Sequence, residues 1–138
     1  MTTRATILSR AFGRIGIGSY EFDVDPTQRA DARTTLDAMM AEWEVTGVAL
    51  GYTPSDGTDN DGELMTTPTW ADAAIWNNLA VRLGPEYGKT LMADLRRDAK
   101  RGYDLCVANT VSIPVDQRAQ KRIYGGGDRY YRRFAGLY

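Results

Sequence analysis

The residues best suited to chemistry stand near the end of the chain. Arg118, Lys121, Arg122, Arg129, Arg132 and Arg133 alternate with Tyr124, Tyr130, Tyr131, Phe134 and Tyr138, and Gly125 to Gly127 divide the run. Guanidinium groups grip carboxylates or phosphates in a planar fork, while rings supply contact area or stack on bases. The set therefore suits a protein interface or a nucleic-acid surface, and the residues alone do not separate the two. Three consecutive glycines do not sustain a helix, and a short tail has few neighbours with which to bury so many rings. A solvated, disordered end is the plain alternative, but such ends are usually poor in aromatics. The expectation is an arm that becomes ordered on a partner.

Other chemistries fit poorly. The chain has no histidine, which removes His-dependent triads and zinc sites built from His and Cys. Cys106 is the single cysteine, so no intrachain disulfide forms; its apolar flanks point to packing rather than catalysis. Glu42, Glu44 and Glu86 offer carboxylates, but glycosidase chemistry needs two of them across a substrate and nothing in their spacing places them around a cleft. Asp56, Asp59, Asp61 and Glu63 invite a calcium reading, yet no register supplies an EF-hand's glycine and final glutamate together. Gly13, Gly16 and Gly18 lack the spacing and the βαβ setting of a phosphate-binding loop. No catalytic residue, metal or cofactor is expected.

With 138 residues, the chain suits one compact domain. Its net charge of −1 conceals a division. From Ile15 to Met65, 11 acids face 2 arginines; from Asp94 to Tyr138, 10 Arg or Lys face 5 Asp. An acidic front and a basic back suit ordered contact between copies or with a charged partner, although two solvated faces would look the same. The N-terminus has no signal-peptide run and the chain has no membrane-length apolar stretch, so neither secretion nor membrane insertion is expected.

Four helices must position these groups. Thr2 or Thr3 caps the first, which runs to about Phe12 with Ile7, Leu8, Ala11 and Phe12 inward. Asp25-Pro26 opens the second, which runs to about Thr46 with Ala32, Leu36, Met39, Met40 and Trp43 as its inner stripe and Gly47 as its stop. Val48 to Tyr52 reads as a short extended piece before a polar, acidic loop. Thr67-Pro68 opens the third helix, whose apolar side is Trp70, Ala74, Ile75, Leu79 and Leu83. Gly84-Pro85 is expected to break it, with a fourth helix starting at once and carrying Leu91, Met92, Leu95, Ala99 and Cys106. Gly88, Ala99 and Gly102 would let that helix approach a neighbour closely. Beyond Asn109, Thr110 to Gln117 reads as an extended strand limited by Pro114. The fold class is all-α: a four-helix domain over residues 1–109 with a long loop between helices 2 and 3, and an extended C-terminal arm over residues 110–138.

Two segments resemble a known family. LDAMMAEWEVTGVALGY, Leu36 to Tyr52, is similar to the central motif of head-to-tail adaptors of P22-like short-tailed bacteriophages, called tail accessory factors or packaged-DNA stabilisation proteins. NLAVRLGPEYG, Asn78 to Gly88, resembles the turn from that family's third helix into its fourth. The likeness covers roughly residues 3–107, with Leu36, Met39, Met40, Trp43, Leu79 and Leu83 as its structural core. It implies a structural virion protein of the neck or tail, made in the host cytoplasm. Such proteins form a ring of twelve copies beneath the portal protein, extend the channel for double-stranded DNA without reading its sequence, and help to retain the genome. They also provide the platform for the next tail component, a nozzle or tail hub. The basic aromatic residues from Arg118 to Tyr138 would then contact portal or a neighbouring subunit. The alternatives are a nucleic-acid-binding module using that tail and a peptidoglycan hydrolase, an activity described for some members.

Overall fold

The computed structural model describes residues 1–17, 24–56 and 62–111. It contains α1 (Arg4–Arg14), α2 (Pro26–Val45), α3 (Asp72–Glu86) and α4 (Ala93–Thr110), with one 3-10 turn, Thr69–Ala71, leading into α3. Among the described residues there is no strand, only an isolated bridge between Thr3 and Leu64. The all-α reading holds.

The first two helices start at side-chain caps, whereas α3 and α4 have none. The Thr3 hydroxyl accepts from the Thr6 amide, and the Asp25 carboxylate accepts from the Thr27 amide with Pro26 at the first helical position. The first-turn amides are those the α-helical ladder does not reach, and the Thr6 amide is shared with the Thr3 carbonyl (3.1 Å).

The first three helices end at glycines, while α4 ends at Thr110 without one. After α2, the Gly47 amide donates to the Glu44 carbonyl (3.1 Å) and Val48 donates to Trp43 (2.8 Å). After α3, Gly88 donates to Pro85 (3.1 Å) and Lys89 to Gly84 (2.9 Å). This double closure requires a left-handed residue, and Gly47 and Gly88 supply it with φ of 95° and 65°. The bonding pattern repeats after α1 through Gly16 and Ile17.

Gly88 corrects the sequence reading. Gly84 and Pro85 lie inside the last turn of α3, and α4 begins only at Ala93. Proline normally pushes the preceding residue out of the helical region by clashing with its Cβ. Gly84 has no Cβ, so the helix continues through Pro85 and stops at the next residue able to adopt positive φ. Met92 is likewise not inward: it is the N-cap residue of α4 and is 74% exposed.

The central helix is α3, which packs on α4, α1 and α2. Leu36, Met39, Met40 and Trp43 from α2 and Leu79 and Leu83 from α3 are all buried, in one cluster with Ile7, Leu8 and Phe12 from α1. Burying each such side chain contributes about 1.5–3 kcal/mol. Trp43 meets Tyr103 of α4 edge-on at 5.2 Å, and Phe12 meets Tyr87 at 5.6 Å. Cys106 is fully buried, and burial raises its thiol pKa, which suits packing and opposes a thiolate nucleophile. No helix among the described residues is long and apolar enough to cross a membrane.

Candidate interaction surface

Two surface features stand outside the core. One is a polar clamp that fixes both ends of the acidic loop. Arg4 is 3% exposed at the start of α1. Its guanidinium donates to Glu63 (2.8 Å) and to the Thr53 carbonyl (3.0 Å), and it lies over the Tyr52 ring at 5.8 Å. Backbone bonds tighten this seam, Arg4 amide to Glu63 carbonyl (3.0 Å) and Met65 amide to Thr2 carbonyl (2.9 Å). From α2, the Asp37 carboxylate accepts from the Tyr52 hydroxyl (2.5 Å) and the Ser55 hydroxyl (2.6 Å). Burial, then the hydrogen bond to Asp37, holds the Tyr52 phenol neutral well above the usual tyrosine range.

Sequence reasoning missed this clamp. Arg4 sits on a helix whose neighbours say nothing of a partner 59 residues away. Glu63, considered above as a calcium ligand, pairs with Arg4 instead, while Asp59 and Asp61 lie outside the described residues.

The second feature is a groove on the outer side of α3 and α4. Trp70, Ala73, Ala74 and Asn77 line one side, and Asp98, Arg101, Gly102 and Leu105 line the other. Both rows follow the i, i+3, i+4, i+7 spacing of one helix face. The floor is low because the helices touch: a Cβ on Gly102 would lie 2.8 Å from the Ala74 Cα. The expected close approach is present at Gly102, whereas Gly88, expected to share in it, lies before α4 and meets no neighbour; the Asn78 side chain bridges the helices by donating to the carbonyls of Ala74 (2.8 Å) and Ala99 (2.9 Å). Trp70, assigned above to the core side of α3, is 44% exposed, and Leu105 is 50% exposed. Helical spacing assigns a ring to a face but does not say whether its own chain covers that face. Asn77 is 6% exposed, and its buried side-chain oxygen has no partner among the described residues.

The carboxylates fit hydrolysis poorly. The Arg82 guanidinium, bonded to the exposed Glu42 carboxyl, holds it below the usual carboxylate range. A general acid needs the opposite shift. Glu44 and Glu86 are exposed. The α3–α4 groove is lined by one carboxylate, Asp98, which is already paired with Arg14 at 3.3 Å. A smaller hollow beside α2 contains Asp37 and Glu44 but has a volume of about 80 Å³, below the few hundred that a ligand site needs.

The proposed arm residues Arg118, Lys121, Arg122, Tyr124, Arg129, Tyr130, Tyr131, Arg132, Arg133, Phe134 and Tyr138 lie outside the described residues, as does the expected strand after Val111. Thr110, expected to begin that strand, is the last residue of α4.

Comparison with known proteins bears on the whole chain. The family model described as P22 tail accessory factor matches residues 1–137. One relative, named peptidoglycan hydrolase gp27, comes from Acyrthosiphon pisum secondary endosymbiont phage 1. It is 26% identical over 132 residues, covering 93% of this chain and 82% of that protein.

Proposed function

This chain belongs to the P22 tail accessory factor family, and from that premise we propose that it is a head-to-tail adaptor whose copies form a ring beneath the portal. The ring extends the DNA channel, helps to retain the packaged genome and provides the seat for the next tail component. The observation that carries this reading is the extent of the family match, which includes the helical domain and nearly all of the basic arm.

In this reading the chain divides its work. Residues 1–109 form the ring body, and residues 110–138 reach the portal or a neighbouring subunit, with the arginines and tyrosines from Arg118 to Tyr138 as anchors. Channel-facing surfaces contact double-stranded DNA through charge alone and read no sequence. A closed ring needs a heterologous interface, each copy presenting one face to a different face of the next.

Co-sedimentation of the protein with its portal tests this reading. Wild type is expected to travel with portal, and the triple variant Arg129→Glu, Arg132→Glu, Arg133→Glu to remain behind. Equal recovery of both proteins contradicts the role given to the arm.

The relative's printed name favours a second reading, cleavage of peptidoglycan. The ion-paired Glu42 and the single paired carboxylate in the larger groove count against it. Release of soluble fragments from purified peptidoglycan, unaffected by Glu42→Gln and Glu44→Gln, would place such an activity elsewhere in the chain.

A further inference from the structure

The α3–α4 groove has a complement on the same molecule. The outer face of α2 carries Ala38, Ala41 and Val45, all exposed, with Val45 at 88%. These residues stand at i, i+3 and i+7, so they form a ridge about 10 Å long with little side-chain height until Val45. The groove rows, Trp70 to Asn77 and Asp98 to Leu105, also span i to i+7. A low ridge suits a floor of Ala73, Ala74 and Gly102, over which a third helix can come close. Charge agrees: with Glu42 held by Arg82 and Asp98 of the groove by Arg14, the exposed Glu44 beside the ridge faces the exposed Arg101 on the groove's rim.

We propose that the α2 ridge of one copy lies in the α3–α4 groove of the next, with Val45 between Trp70 and Leu105 and Glu44 facing Arg101. The inference rests on the adaptor reading and assigns its subunit interface. Ridge and groove lie on different elements, so each copy uses one surface to dock and leaves the other open, the heterologous pairing that a ring requires. The pairing covers two half-exposed apolar side chains.

The test is photo-cross-linking in assembled particles, with a benzophenone side chain at Val45. Because Val45 is almost fully exposed, the replacement leaves the core intact. The expected product joins two copies, with the attachment in residues 70–77 or 98–105 of the second. Arg101→Glu is expected to lower its yield about tenfold, and Arg101→Glu combined with Glu44→Arg to restore it. Attachment only to another protein, or to residues 112–138 of the same copy, overturns the pairing while leaving the adaptor reading in place. Absence of the chain from the particles overturns both.

Discussion

Ala74 and Gly102 meet almost backbone to backbone, since a Cβ on Gly102 would stand 2.8 Å from the Ala74 Cα and 2.9 Å from its Cβ. The contact sets the separation of α3 and α4 and the depth of the groove between them. Gly102→Ala gains about 1 kcal/mol of helix propensity, but the clash is with backbone, which does not yield as a flexible side chain would. Overpacking of this kind costs about 1–3 kcal/mol, so a net loss is expected. Thermal unfolding should show a Tm lowered by a few degrees; a raised Tm would mean that the helices part without cost.

Arg4 ties the start of α1 to both sides of the acidic loop, through Thr53 and Glu63. Arg4→Ala removes these bonds and the buried stem of the side chain, at an expected cost of about 2 kcal/mol. The loss should be local first. Hydrogen exchange is expected to quicken at residues 53–56 and 62–65 well before it changes in α3. Uniform quickening across the chain would show that the seam belongs to the global fold.

Tyr52 gives stability a dependence on alkaline pH. Its pKa in the folded chain is raised, by burial and then by Asp37. Below the ordinary value of about 10, folded and unfolded chains both carry a neutral phenol and the stabilisation is complete. As pH rises through that value the unfolded chain ionises first, and stability falls until the folded pKa is passed. Tyr52→Phe should cost about 1.5 kcal/mol at neutral pH through the lost bond to Asp37 and should flatten the decline above pH 10. Denaturant melts of the two proteins across this range check both effects.

The sequence disclosed those parts of the fold that rest on local chemistry. Thr3 and Asp25 cap helices with their own side chains, Gly47 ends one by its own backbone freedom, and the stripe from Leu36 to Trp43 is a helix face whoever its neighbours are. Gly84-Pro85 misled because a proline's penalty depends on the residue before it, and here that residue has no Cβ. Met92 and Trp70 misled because periodicity gives a direction, and only the packed chain tells whether anything lies there. The clamp of Arg4, Tyr52, Asp37 and Glu63 joins residues far apart in sequence, and no local pattern announces it. The groove was half legible: Ala99 and Gly102 signalled close helices, but not that Trp70 and Leu105 would remain exposed above them.

The proposed role, a ring-forming adaptor between portal and tail, predicts an assembly that can be seen. Electron microscopy of the full-length protein mixed with its cognate portal tests it most directly. The expected image is a closed ring of twelve copies coaxial with the portal, its helical domains side by side around the channel. A protein that stays monomeric beside bare portal rings would contradict it.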